Sequence, residues 1–405
     1  MPISFYEARQ TILEAVTRLA VERVPLLEAA GRAAAEDISA TLPLPAFNNS
    51  AMDGYAVRAA SCPQGSTLEV TGFLSAGHNF ASPVPPGMAV KIMTGAPLPA
   101  GTDAVIPLED CDAGEQTITL RHQVKQGDHI RWTGEDIQPG DRVLAAGTLL
   151  RPSEINLLAA LRMAAVPVHR RARVAILATG DELQEIDELY FAGSIVNSNS
   201  WGLAAAVKEI GAIPLMLGIA RDNPTSLKEK IRAGLQSDVL ITSAGVSTGD
   251  RDLVRETLAE SGVKEHFWKI RIRPGHPTAF GMQGHIPVFS LPGNPVSTML
   301  VFEELVRPAL LKMMGYRDVL RTVHKATLTE AISKKPGRVQ MLRVALRINP
   351  EGELLAASAG KQQTGIYQTL VAAQGIALLP EDQERFAAGE KIDVHFLGAS
   401  TAMGS

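Results

Sequence analysis

The chain has 405 residues, 45% of them hydrophobic, and a formal charge of −4 at pH 7. That length provides for roughly two to four domains with real cores, and the slightly acidic balance excludes a general nucleic-acid binder. Cys62 and Cys111 are too few for a disulfide framework, no basic-then-apolar leader opens the chain, and no apolar run approaches the ~20 residues of a membrane span, so a soluble cytoplasmic protein is expected.

Ser4 and Glu7 form a Ser-x-x-Glu capping box, and Phe5, Ala8, Ile12, Val16 and Leu19 follow at helical spacing, predicting a first helix to about Ala20. Pro25 to Gly31 reads as a turn, and Ala33 to Ile38 as a short second helix. From Phe47 to about Gly134, Gly, Pro and short β-rich runs dominate. Thr67 to Val70, Met88 to Met93 and Ala104 to Leu108 read as strands of a separate β-rich domain. Arg151-Pro-Ser-Glu then starts a helix to about Leu161.

Strand and helix alternate from Arg173 to Gly315. Strands are expected at Val174 to Ala178, Pro214 to Ile219, Val239 to Thr242 and Val288 to Leu291. Helices are expected at Asn199 to Ile210, after the Asn223-Pro224 cap, over Asp252 to Ser261, and from Asn294-Pro295 to about Met314. This pattern predicts a parallel sheet with helices on both faces and ligands at the carboxyl ends of its strands. Beyond Tyr316, short strands at His324 to Ile332, Val339 to Ile348, Leu354 to Ser358, Ile376 to Leu379 and Ile392 to Phe396 predict a compact β-barrel-like domain, followed by a small polar tail after Gly398.

The chemistry-bearing residues gather at the predicted strand ends. Ser243-Ala-Gly245 and Pro292-Gly-Asn-Pro295 supply small residues and a helix start, which favour an anion near the backbone. Lys269, Arg271 and Arg273 alternate with Trp268, Ile270 and Ile272, so a strand there would present three cations on one face. Asp181 and Glu182 follow one strand, Asp222 the next, and Asp252 opens a helix; Asp222 and Asp252 could equally be simple N-caps. Carboxylates facing cations at one sheet edge make joint sense if Mg²⁺ bridges them to phosphate. Asp53-Gly54 reads equally as a tight turn, Thr94 as a turn hydroxyl or an oxyanion donor, and Glu135 and Asp136 as solvated loop acids.

Taken together, Asn49-Ser-Ala-Met-Asp-Gly-Tyr-Ala56, Met93-Thr-Gly-Ala-Pro97, Gly134-Glu-Asp-Ile137, Thr179-Gly-Asp-Glu-Leu183, Ser243-Ala-Gly-Val-Ser247 and Leu291-Pro-Gly-Asn-Pro-Val-Ser297 resemble the MoeA family, which includes the E domain of gephyrin. The resemblance runs in order through about residue 397. It implies a multidomain α/β protein: an N-terminal linker unit (1–42 with 137–170), an inserted β-rich domain (43–136), a MoaB/Mog-like molybdopterin-binding α/β domain (171–316) and a C-terminal β-barrel-like domain (317–398). It also implies a homodimer whose site joins one subunit's sheet domain to the partner's β domain. The implied reaction is Mg²⁺-assisted insertion of molybdate into adenylylated molybdopterin with release of AMP, the product passing to recipient apoenzymes.

Carried over by motif, the resemblance implies catalytic roles for Asp53, Thr94, Asp136, Glu182, Asp222 and Asp252, with Glu182 and Asp222 as metal ligands. It implies substrate binding by Arg131, Ser243, Gly245, Arg273, His276, Pro292, Pro295, Ser297, Arg338, Arg343 and Thr364. Two positions depart from the family pattern. Ala244 stands where the family carries Gly, which costs roughly 1 kcal/mol or more if φ is positive there. His276 stands where the family carries Lys, beside Arg273 in place of a second Lys. A non-catalytic, scaffolding homologue that binds pterin is therefore the alternative; a nucleotide hydrolase built on the sheet domain alone would lack the Asp53, Thr94 and Asp136 motifs.

Overall fold

The computed structural model of the chain describes residues 2–114, 116–244 and 253–398. Its centre is a six-stranded sheet in the order Ile213–Ala220, Arg173–Thr179, Val239–Ser243, Ile286–Leu291, Ala279–Gln283, Lys264–Trp268. The first four strands are parallel, as the strand–helix alternation predicts. The last two close the edge as antiparallel neighbours. Alternate side chains serve two cores. Ile176, Ile241 and Phe289 pack with the helices Ser198–Glu209 and Pro295–Val301, while Leu177, Leu240 and Val288 pack with Pro224–Gly234 and Leu253–Glu260. Helices therefore cover both faces.

The first helix, Phe5–Ala15, is capped by Ser4, whose hydroxyl accepts the Glu7 N–H at 3.2 Å. It stops five residues short of Ala20, because Val16 turns extended and the Leu19 N–H bonds the Met313 carbonyl instead. Its apolar face, Phe5, Ala8 and Ile12, is buried in the sheet core. The expected second helix is absent: Leu26–Ala29 is a single 3₁₀ turn, and Ala33 and Ala34 make β-bridges to Leu149 and Val168. Cross-chain pairing has overridden the local preference of an alanine run. Val21–Pro25, pairing with Ala165–His169, is a strand that the sequence reading missed.

The β-rich unit is a six-stranded sheet containing Gly54–Val57, Thr67–Leu74, Met88–Ile92 and Ala104–Pro107. Asp53-Gly54 is not a hairpin turn. Gly54 begins a strand, and a Cβ there would run into the Ile106 carbonyl, so only glycine fits between the strands. In the C-terminal unit, Val339–Ile348, Leu354–Ser358, Val323–Leu328, Lys391–Phe396 and Gly375–Leu379 pair in a ring that Gly375–Leu379 closes against Val339–Ile348. This five-stranded barrel has no free edge.

The expected row of three cations on one strand does not form. Lys269 has φ +71°, which ends the strand at Trp268, and its ammonium lies 4.0 Å over the Trp268 ring. Arg271 pairs with Glu381 at 3.2 Å, and Ile272–Arg273 joins the barrel strand Val339–Ile348 in parallel. The three cations serve three different neighbours. Among the described residues no helix is long and apolar enough to cross a membrane.

Candidate functional site

At the carboxyl ends of the parallel strands lies a cavity of about 790 Å³. Of the expected residues, Glu182, Asp222, Ser243, Pro292 and Pro295 line it together. Gly180 has φ +141°, and a Cβ there would strike the Glu182 carboxylate, so glycine lets that side chain fold back over its own turn. Asp181 Oδ1 accepts the Asp222 N–H at 3.1 Å, while Arg221 Nη1 donates to the Leu183 carbonyl at 2.9 Å, tying the two acidic strand ends together. Glu182 and Asp222 are both exposed to the cavity side of this tie.

Among the wall residues that the reading from sequence missed, two hold other parts of the wall in place. Asn199 donates through Nδ2 to Ser243 Oγ (2.9 Å) and to the Gly293 carbonyl (2.8 Å), so it clasps two strand-end loops. The predicted start of its helix was the one available signal. Tyr367 comes from the barrel's short helix Tyr367–Ala372 and shares a 2.7 Å hydrogen bond with Ser198 Oγ. Nothing local in the sequence marks a six-residue helix as reaching another domain.

A second cluster sits in the β-rich unit. Asp53 Oδ1 accepts both the Thr94 N–H and the Thr94 hydroxyl, each at 2.7 Å. Those bonds, the backbone one foremost, hold the Asp53 carboxyl below the usual carboxylate range. Arg131 pairs in register with Asn49, and the Asp136 N–H bonds the Leu44 carbonyl; both side chains are exposed. None of Asp53, Thr94, Arg131 or Asp136 lines the sheet-edge cavity of the same chain.

Arg273 and Thr364 meet in a third place, a 260 Å³ pocket between sheet domain and barrel that also takes in Gln340, Gln362 and Gln363. Arg343 is behind that pocket, not in it. Only 1% exposed, its Nη2 donates to the carbonyls of Lys361 (3.1 Å) and Gln363 (3.3 Å). Arg338 is exposed and lines neither pocket. His276 is half-buried and donates from Nδ1 to the Ile270 carbonyl at 2.6 Å, while its neighbour Pro277 lines the large cavity. Ser297 is buried within the helix Pro295–Val301 and does not reach the cavity wall. Gly245 and Asp252 lie outside the described residues.

Among the described residues no three His, Cys, Asp or Glu side chains converge as a protein-only metal cage. Glu182 and Asp222 on one wall nevertheless fit Mg²⁺, which is usually held by one or two carboxylates, substrate phosphate and water.

Ala244 has φ +77°, with its N–H bonded to the Leu291 carbonyl at 3.1 Å. The departure identified in the sequence therefore falls on a left-handed position, where a Cβ is disfavoured. Ala244→Gly should raise the stability of this domain by about 1 kcal/mol, read as a later urea midpoint at unchanged slope. An unchanged or earlier midpoint would mean that the backbone there carries no strain.

Three family models match: the MoeA N-terminal region (domain I and II) over residues 3–161, a probable molybdopterin binding domain over 175–312, and the MoeA C-terminal region (domain IV) over 325–397. The chain is 37% identical to a molybdopterin molybdenumtransferase of Haemophilus influenzae over 97% of its own length and 99% of that protein. It is 35% identical to molybdopterin molybdenumtransferase 2 of Mycobacterium tuberculosis over 96% and 98%. The crystal structure of a molybdopterin biosynthesis MoeA protein from Pyrococcus horikoshii superposes with a TM-score of 0.85 at 30% identity, covering 98% of this chain and all of that one.

Proposed function

The chain belongs to the MoeA family of molybdopterin molybdenumtransferases, enzymes of molybdenum cofactor biosynthesis, and on that premise we propose that it inserts molybdate into adenylylated molybdopterin with release of AMP. The observation that carries this reading is the convergence of Glu182, Asp222, Ser243, Pro292 and Pro295 on one cavity at the parallel strand ends. We extend the proposal to a cytoplasmic homodimer that hands its product to recipient apoenzymes. Its domains are 1–42 with 137–170, 43–136, 171–316 and 317–398.

When bound, Mg²⁺ would neutralise phosphate charge beside Glu182 and Asp222. The chain's own groups do the rest. Glu182, held over Gly180, accepts a proton from the water that displaces AMP. Asp222 is positioned by Asp181 and keeps the second acidic group on the same wall. Asp53, charged and oriented by Thr94, completes the site from the partner's β-rich domain. Arg273 offers molybdate a permanent cation beside the Thr364 hydroxyl. The test is incubation with adenylylated molybdopterin, Mg²⁺ and molybdate, followed by measurement of AMP and of active cofactor. The strained Ala244 favours one other reading, a scaffolding protein that holds pterin; it would bind the substrate and release no AMP.

His276, the second departure from the family pattern, can be tested by charge. Its Nδ1–H is committed to the Ile270 carbonyl, so Nε2 is the ring atom left to meet an anion. Lysine at this position would supply a permanent cation instead. His276→Lys should therefore lower the molybdate requirement, and Arg273→Ala should raise it more than His276→Ala does. An equal requirement in wild type and His276→Lys would take His276 away from the anion.

A further inference from the structure

Behind Tyr367 lies a second cavity, of about 380 Å³, between the helices Ser198–Glu209, Pro295–Val301 and Tyr367–Ala372. Ser198, Asn199, Pro295 and Tyr367 line both this cavity and the acidic one, so the two share a wall. Their chemistry is opposite. Asp181, Glu182 and Asp222 face the first, whereas Gly202, Ala206, Met299, Leu300, Leu370 and Val371 give the second an apolar lining. Of its three charged lining residues, Glu303 and Arg321 are paired with each other, and Glu209 is exposed at the end of its helix. A Cβ at Gly202 would come within 3.2 Å of the Met299 sulfur, so glycine gives that side chain its room in the cavity wall.

Tyr367 is the one aromatic residue among the described residues of the acidic cavity, and it is 49% exposed. Its hydroxyl is held by Ser198, which leaves the ring to stand between the two spaces. A polar cavity and an apolar one that open on either side of the same half-exposed aromatic ring suit a ligand with a charged end and a flat heteroaromatic end.

We infer that the apolar cavity behind Tyr367 is the subsite for a flat heteroaromatic ring of the substrate, the adenine or the pterin, whose charged portion lies in the acidic cavity. The inference rests on the acidic cavity being the reaction site. It adds that helix Ser198–Glu209 and the barrel's helix select the ring. Adenine and pterin share the required shape and polarity, so binding must separate them.

The test uses the full-length protein and titrates AMP, ribose 5-phosphate and 6-hydroxymethylpterin into wild type and Ala206→Leu by calorimetry. Leucine at 206 fills the cavity from a partly exposed helical position. AMP bound at least tenfold more weakly by the variant, with ribose 5-phosphate unchanged, would support an adenine subsite. The same loss for the pterin alone would support a pterin subsite. Val371→Ser at the 88% exposed mouth cannot disturb a core and should weaken the same ring two- to threefold. The inference is overturned if neither ring compound binds the wild type. It is also overturned if both variants bind as the wild type does, or if ribose 5-phosphate weakens as much as AMP. Turnover with an unchanged KM in Ala206→Leu would sink the subsite while leaving the transferase reading intact.

Discussion

Asp53→Asn and Glu182→Gln are each expected to lower AMP release at least tenfold, about 1.4 kcal/mol in the barrier, without unfolding the protein. Asparagine can still accept from the Thr94 N–H and hydroxyl, so the turn survives and only the charge is lost. Glutamine similarly keeps the shape of Glu182 over Gly180 while losing its basicity. Because the folded Asp53 carboxyl is depressed, its contribution is present above the usual carboxylate range and disappears only as pH falls through its lower folded value. Any change in rate between pH 6 and 8 must then come from another group. Since Asp53 and Thr94 do not line the cavity that holds Glu182 in one chain, mixing the two inactive variants under subunit exchange should restore activity. Heterodimers would carry one doubly damaged site and one intact site. Wild-type turnover in the single variants removes these residues from the mechanism, and no recovery after verified exchange puts both in one subunit's site.

Arg343→Ala should destabilise the barrel by about 2–4 kcal/mol, a larger effect on folding than any surface charge change. The side chain is buried on the strand Val339–Ile348, its Nε has no partner among the described residues, and burial pushes the guanidinium below the usual arginine value. Truncation would leave a void and deprive the Lys361 and Gln363 carbonyls of their donor, partly offset by release of a desolvated charge. Arg343→Met separates the two contributions. It retains volume and should fold within about 1 kcal/mol of wild type, yet the loop bearing Gln362, Gln363 and Thr364 loses its guanidinium bonds beside Arg273 and keeps those of Gln362 to the backbone of residue 343. Its molybdate requirement should rise about tenfold, which corresponds to 1.4 kcal/mol. A wild-type requirement in Arg343→Met would show that the loop organises the pocket without the guanidinium. Urea melts and AMP release against molybdate concentration supply both readings.

Periodicity and punctuation in the sequence were enough for the parallel strands, their helices and the barrel strands, because burial on two faces or one writes a repeat of 3.6 or 2 into the chain. The same reading placed Glu182, Asp222, Ser243 and Pro292 at strand ends, and these do meet in one cavity. A position after a parallel strand is a statement about topology, which local pattern carries. Likewise the Ala-for-Gly change at Ala244 was legible, since one missing glycine implies a definite backbone demand.

Tertiary structure alone decided the rest. Lys269 turns to positive φ and Arg273 leaves the sheet for the barrel, so alternation of cations with apolar residues did not make a cationic face. The alanine run at 33–35 has good helix propensity, but β-bridges from Leu149 and Val168, more than 100 residues away in sequence, fix Ala33 and Ala34 otherwise. Arg343 reads as a binding residue until burial reveals its carbonyl partners. Tyr367 joins the acidic wall only because the barrel docks beside the helix Ser198–Glu209. Local propensities amount to a few tenths of a kcal/mol per residue, whereas pairing and burial between distant segments contribute more at each of these positions, and no short window of sequence contains the partner.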